Sequence, residues 1–111
     1  MGRQQTDGHR LMRPIHLAVL DKSRPVLILT REQVRPYLTA ITVAPITSTI
    51  RGLSTEVAVG RANGLQHDSV VSCDNVTTIP TSAIGRLLGY LHASQEAALS
   101  RAIASAYDLD M

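Results

Sequence analysis

The sequence predicts a small β-barrel or sandwich, mainly β, closed by a single C-terminal α-helix. Three observations carry that prediction. Short apolar runs rich in Val, Ile and Leu recur between residues 15 and 91, separated by Gly, Asn, Ser and Pro. The longest of them, within 24–30, is continuous rather than alternating, as a strand buried on both faces should be. From Ser94 onward the apolar period changes to that of a helix. The 111 residues are enough for one domain with one modest core. That core must be aliphatic, because Phe and Trp are absent and the aromatics are Tyr37, Tyr90 and Tyr107.

Taken in order, residues 1–11 are polar and aperiodic. They are expected to be a flexible arm, either an upstream extension or a cloning remnant, with the domain running over 12–111. Residues 15–21 open the domain as a strand, and Lys22-Ser23 makes a tight connection. Residues 24–30 form the second strand, with Pro25 at its start, where a missing N–H is tolerated. Residues 31–38, broken by Pro36, read as a loop or short helical turn. Residues 40–46 are a third strand, and 47–53 a hydroxyl-rich loop carrying Arg51-Gly52. Strands follow at 54–59, 68–74 and 76–80, with Asn63-Gly64 as a turn dipeptide. Gly85 and Gly89 favour strand over helix for 84–91. In the last segment Leu99, Ala102, Ile103, Ala106 and Tyr107 share one helical face. Ser94 is placed to cap that helix, and Glu96 lies in the first turn, where the dipole favours an acid.

Composition narrows the function. The net charge of +2 fits a nucleic-acid partner without requiring one. Scarce aromatics disfavour a platform that stacks bases on rings. The single cysteine, Cys73, follows Val70-Val71-Ser72 and reads as a buried structural thiol suited to a reducing cytoplasm. No apolar run approaches the ~18 residues that span a membrane. His9, His16, His67 and His92 show no metal-ligand spacing, so no metal or other cofactor is expected. Asp108 and Asp110 read as a solvated end, and neither a glycine-rich phosphate loop nor a nucleophile elbow is present. What remains is placement. Arg24 begins the buried strand and Thr47 ends the next one, so pairing of those strands would bring both to one rim of the sheet. By themselves these two residues decide nothing.

Three segments together resemble the MazF/PemK-type mRNA interferases, in the manner of the mycobacterial-like branch. Arg24-Pro25-Val26-Leu27-Ile28-Leu29 resembles the family's R-P-(V/A)-(L/V)-(V/I) strand, and Val43-Ala44-Pro45-Ile46-Thr47-Ser48 its V-x-P-(I/V/C)-T-(S/T) strand end. Gly64-Leu65, then Asp68 through Asn75, then Thr78-Ile79 resemble its G-L…S-V-(V/I)-x-x-(D/E)-Q-(I/V)-x-(T/S)-I block. The resemblance implies an SH3-like barrel of the plasmid-toxin type with a terminal helix, working as a homodimer with single-stranded RNA in the groove between subunits. It implies a toxin that cleaves RNA without a metal: the ribose 2′-OH attacks the adjacent phosphorus and leaves a 2′,3′-cyclic phosphate and a 5′-OH. Arg24 and Thr47 take the catalytic positions, with Ser48, Arg51, Asp74 and Asn75 as supporting or RNA-binding residues. A MazE-like antitoxin is the implied protein partner, its acidic disordered tail competing with RNA for Arg24 and Arg51.

This sequence departs from the family pattern in places that bear on recognition. The first strand begins Ile15-His16-Leu17-Ala18 instead of G-(D/E)-(I/V)-(W/Y), and the long first connection is cut to Lys22-Ser23. Asn75 stands where the family has Gln, and Thr77 where a basic residue is common. Arg31, Arg35, Arg61 and Arg86 are further candidates for phosphate contacts. Two alternatives stay open on the sequence: a CcdB-type gyrase poison on the same barrel, disfavoured by the lack of Trp in the tail, and a barrel that binds without catalysis.

Overall fold

A computed structural model describes residues 12–110 of the chain. The expected arm at 1–11 lies outside the described residues. Seven strands and one α-helix follow in order: β1 (Pro14–Val19), β2 (Ser23–Ile28), β3 (Ala40–Thr47), β4 (Glu56–Val59), β5 (Ser69–Ser72), β6 (Thr77–Pro80), β7 (Ile84–Tyr90) and α1 (Glu96–Ala106). The sheet runs β4-β5-β3-β2-β1-β7, with β6 also on β3, and every pairing is antiparallel.

β3 is the hinge of the architecture. One edge pairs with β2. The other pairs first with β6, at Ile41↔Ile79, and then with β5, at Ile46↔Val71. β5 and β6 thus succeed one another along a single edge, joined by a 3-10 turn at Cys73–Asn75. A strand alternates its faces, so β3 feeds two cores. Ile41 and Val43 pack with Ala18, Val26, Ile28 and Ile79. Ala44 and Ile46 face the larger cluster of Ile15, Leu27, Val71, Leu91 and Leu99. The second half of β2, Val26-Leu27-Ile28, is continuously aliphatic for the same reason: Val26 and Ile28 serve one core and Leu27 the other. Truncating Leu27 or Leu99 to Ala would cost about 2–5 kcal/mol.

Several boundaries differ from the sequence reading. The strand expected at 68–74 covers Ser69–Ser72: Cys73 N–H still donates to Thr55 O at 3.0 Å in the β4–β5 register, but residues Cys73–Asn75 turn into a 3-10 helix. The strand expected at 54–59 starts only at Glu56. Ser94 does not cap α1; it sits exposed inside a 3-10 turn at Ala93–Gln95. Gln95 occupies the N-cap position of α1 without a side-chain cap bond; its Oε1 instead accepts His92 N–H at 2.8 Å and closes the 3-10 turn that leads into the helix. Glu96 accepts Arg13 Nε–H at 2.9 Å. Leu99 and Ala102 are buried as expected, joined by Ala104, with Ile103 and Ala106 half-buried. Tyr107 leaves the face: the helix ends at Ala106 and the ring is exposed.

The turn before β5 is locked onto β7. Gly64 has φ +88°, and a Cβ there would lie 2.0 Å from Leu88 O. A Cβ on Gly89 would lie 2.1 Å from Asn63 O. Only glycine fits at either place. No helix among the described residues is long and apolar enough to cross a membrane.

Candidate active site

The β2–β3 pairing fixes the relation between the two leading candidates. Val26 lies opposite Pro45, and the same register carried two places further sets Arg24 beside Thr47. On its other side Thr47 pairs with Val70. Arg24, half-buried, directs Nε and Nη2 at Asp21, donating to Oδ1 at 3.1 Å and Oδ2 at 3.3 Å. Lys22 N–H also donates to Asp21 Oδ1, at 3.0 Å, so the short β1–β2 connection closes around the ion pair. The hydrogen bond and then the charge of Arg24 lower the Asp21 carboxyl below its usual range, and the same two causes raise the Arg24 guanidinium. Arg24 therefore remains a cation, with donors beyond those Asp21 engages available to an anion. Thr47 Oγ1 accepts Thr49 N–H at 3.1 Å, which steadies the hydroxyl and leaves its own proton as a donor.

Arg24 and Thr47 stand on the divide between two clefts, of about 670 and 790 Å3, and line both. The first cleft adds Lys22, Ser48, His67 and Arg86, and no carboxylate lines it. The second adds Arg51, Glu56, Asp74 and Asn75. Asp74 and Asn75 reach this place through the 3-10 turn between β5 and β6, which sets them next to the end of β3. Asp74 Oδ2 accepts Thr55 Oγ1–H at 2.6 Å, and Asn75 Nδ2–H donates to Ser72 Oγ at 2.8 Å. Thus all six sequence-predicted site residues border the two clefts: Arg24 and Thr47 on the shared divide, Ser48 in the first, and Arg51, Asp74 and Asn75 in the second.

Of the further arginines, Arg86 joins the first cleft, Arg35 lines a separate hollow beside His16, and Arg31 and Arg61 line none of these. Sequence reasoning missed Lys22, His67 and Glu56 as cleft residues. Lys22 had its place in the shortened first connection as a signal, and His67 had none. It also missed what holds the wall that carries His67. Asn63 is 2% exposed; its Nδ2 donates to Tyr90 O at 2.9 Å and Gln95 Oε1 at 2.7 Å, and its Oδ1 accepts Gly60 N–H at 3.0 Å. His92 Nε2 meets Ala62 O at 2.7 Å. Asn-Gly in the sequence signalled a turn but not this buried network. Cys73 is buried behind Asp74, and burial pushes its thiol up to about 11. Among the described residues, no three His, Cys, Asp or Glu gather as metal ligands would.

The profile of the family described as PemK-like, MazF-like toxin of type II toxin-antitoxin system matches residues 14–107. Over 99 residues the chain is 68% identical to Endoribonuclease MazF3 of Mycobacterium tuberculosis, covering 89% of this chain and 96% of that protein. A Probable endoribonuclease MazF2 of the same organism is 41% identical over 64 residues, 57% of this chain and 63% of that protein. Among solved structures, Mycobacterium tuberculosis toxin MazF-mt6 superposes with a TM-score of 0.88 at 67% identity, covering 89% of this chain and all 100% of that one. An endoribonuclease from a mycobacterial species in complex with its cognate antitoxin shares the fold, with a TM-score of 0.79 at 23% identity over 88% of this chain and 94% of that one.

Proposed function

The chain belongs to the PemK-like, MazF-like toxins of type II toxin–antitoxin systems and is an endoribonuclease of that family; from this premise we propose that it cuts single-stranded RNA at the Arg24–Thr47 divide. The observation that carries the proposal is the placement of these two residues side by side, on strands whose register is fixed by two cores, with an open cleft on either hand. A scissile phosphate seated on the divide leaves one flanking stretch of RNA for each cleft.

The reaction joins the ribose 2′ oxygen to the adjacent phosphorus and breaks the bond from phosphorus to the 5′ oxygen. The products are a 2′,3′-cyclic phosphate and a 5′-OH. Nucleophile and phosphorus are already in one molecule, which supplies proximity. The protein must chiefly stabilise charge on the phosphorane. A guanidinium fork matches phosphate oxygens, and the Thr47 hydroxyl adds a neutral donor. Arg24 cannot act as the base, since it stays protonated at any working pH. It stabilises the anionic transition state by hydrogen bonding, while the 2′-OH proton passes to water and the leaving 5′ oxygen takes one from water. Asp74 and Asn75 offer an acceptor and an amide to base edges of the unpaired strand, with Ser48 and Arg51 as supporting contacts.

The chain works as a homodimer in the cytoplasm, restrained by an antitoxin whose acidic segment covers Arg24 and Arg51. The family, the cationic first cleft and the exposed apolar Ile50 and Leu53 beside Arg51 support this reading. The decisive experiment incubates the full chain with long single-stranded RNA in EDTA. Discrete fragments ending in cyclic phosphates, lost in Arg24→Ala, are expected; intact RNA overturns the proposal.

A further inference from the structure

The dipeptide Thr55-Glu56, at the start of β4, touches both walls of the second cleft. Glu56 is half-buried and turns its carboxylate into the loop that precedes it. Its Oε1 accepts three consecutive backbone N–H groups, from Arg51 at 3.2 Å, Gly52 at 2.9 Å and Leu53 at 3.2 Å, and Oε2 takes Arg51 N–H again at 3.4 Å. Three successive amides converging on one point form a concave anion site. Gly52, at φ +74°, permits the necessary bend. Here the anion is the protein's own side chain. Glu56 N–H closes the loop by donating to Leu53 O at 3.1 Å. Its neighbour Thr55 does the same for the opposite wall: Thr55 Oγ1–H donates to Asp74 Oδ2 at 2.6 Å, and Thr55 O accepts Cys73 N–H at 3.0 Å.

We infer that Thr55 and Glu56 are positioning residues for the RNA-cleaving site, Glu56 acting through Arg51 and Thr55 through Asp74. Without the Glu56 carboxylate, residues 51–53 would expose three amides to water and the loop would sample many conformers, so Arg51 would no longer be held at the cleft. Without the Thr55 hydroxyl, Asp74 would lose the contact that fixes its rotamer. The pair sets the width and polarity of the second cleft without any atom of its own needing to touch the reacting phosphate. This inference rests on the reading of the clefts as an RNA site.

The test has one readout on RNA and one that does not depend on it. Amide hydrogen exchange on the full chain should show residues 51–53 losing protection by about tenfold in Glu56→Ala, the size expected for hydrogen bonds to a charged acceptor, and less in Glu56→Gln, with the core strands unchanged. Cleavage of single-stranded RNA should lose about tenfold in kcat/KM in Glu56→Ala. The same change in an Arg51→Ala background should add nothing beyond about twofold, because residues acting through one another do not add. Thr55→Val should alter which RNA sequences are cut, Thr55→Ser should restore the original pattern, and Thr55→Val should do nothing further in Asp74→Asn. Unchanged exchange at residues 51–53, or fully additive losses with Arg51→Ala, overturns the inference. Intact RNA with the unaltered chain overturns the reading of the site instead, and the exchange result then judges the role of Glu56 in holding the loop on its own.

Discussion

The cleft beside Lys22 and the cleft beside Asp74 differ in what lines them and in what holds their walls. The first presents Lys22, Arg24, His67 and Arg86 with no carboxylate. Its outer wall, the turn after β4, is fixed from inside by Asn63, Gln95 and two glycines that allow backbone to touch backbone. The second mixes Arg51 with Glu56 and Asp74, and its walls are held by side chains at the surface. A surface with uniform positive charge attracts a phosphate chain whatever its sequence. A surface with both donors and acceptors can discriminate bases. On the proposed reading, backbone grip would fall to the first cleft, whose wall is tied to the folded core, and base choice to the second, whose wall depends on local loop order.

The largest effect belongs to the row both clefts share. Arg24→Ala should lower kcat/KM by about 100- to 1000-fold, in line with the ~3–4 kcal/mol that a preorganised donor supplies to a transition state. Its melting temperature should stay close to that of the parent, since Asp21, its partner, is exposed. Steady-state cleavage assays with paired thermal melts decide this. A loss no greater than that of Lys22→Ala would mean that Arg24 is only another cleft cation.

Next comes the contrast in wall construction. Asn63→Ala strips a buried side chain of partners at Gly60, Tyr90 and Gln95 and should destabilise the fold by about 1–3 kcal/mol. Denaturant titration should show this plainly, and Glu56→Ala should show far less. Equal losses in the two variants would erase the proposed difference between an inner and an outer support.

That contrast also explains what could be read from the sequence. The strands were legible because each core face repeats at a period of 2: residues 24–30 point to a strand buried on both sides, and β2 is that strand over Ser23–Ile28, buried on both sides at Val26–Ile28. The Arg24–Thr47 row is legible as two strand ends, and the antiparallel β2–β3 register brings both residues to the lining of the same two clefts. The Asn63 network was not legible, because Asn63 meets Tyr90 and Gln95 across sequence gaps of 27 and 32 residues. No local pattern reports such a meeting. Ser94 has the local propensity of a cap, yet a 3-10 turn precedes the helix, and the Gln95 side chain closes that turn onto His92 N–H. Glu56 looked like an ordinary exposed-face residue of a strand; its carboxylate turns instead into a loop whose bend depends on the positive φ of Gly52.

Cleft against cleft, two single substitutions should give opposite signatures. Arg86→Ala should weaken RNA binding several-fold for every sequence alike. It should also make the slope of log affinity against log salt shallower by about 0.7, the share of one single-strand phosphate contact. Asp74→Asn should leave that slope alone and change the spectrum of sites cut, read by mapping fragment ends. If Arg86→Ala redirects cleavage, or Asp74→Asn flattens the salt slope, the division of labour is wrong.

The smallest expected effect lies beneath the second cleft. Cys73 opens the turn that carries Asp74 and Asn75, and its thiol is raised from about 9 to about 11, first by burial and then by the charge of Asp74. The nucleophile is the thiolate, so native protein at pH 8 should resist alkylation that unfolded chain undergoes readily. The sign of the stability effect follows from proton binding. Between pH 9 and 11 the unfolded chain gives up this proton while the folded one keeps it, so the contribution is complete below pH 9 and fades as pH rises through 11. The informative quantity is the difference from Cys73→Ala, which cancels every other contribution to the alkaline decline. Denaturation midpoints of the parent should fall faster than those of Cys73→Ala across that window. In Asp74→Asn the gap should narrow, because one of the two causes of the raised thiol is gone. Parallel decline in all three proteins would show that the turn holding Asp74 is not closed over a buried thiol, and that the second cleft is looser than its hydrogen bonds indicate.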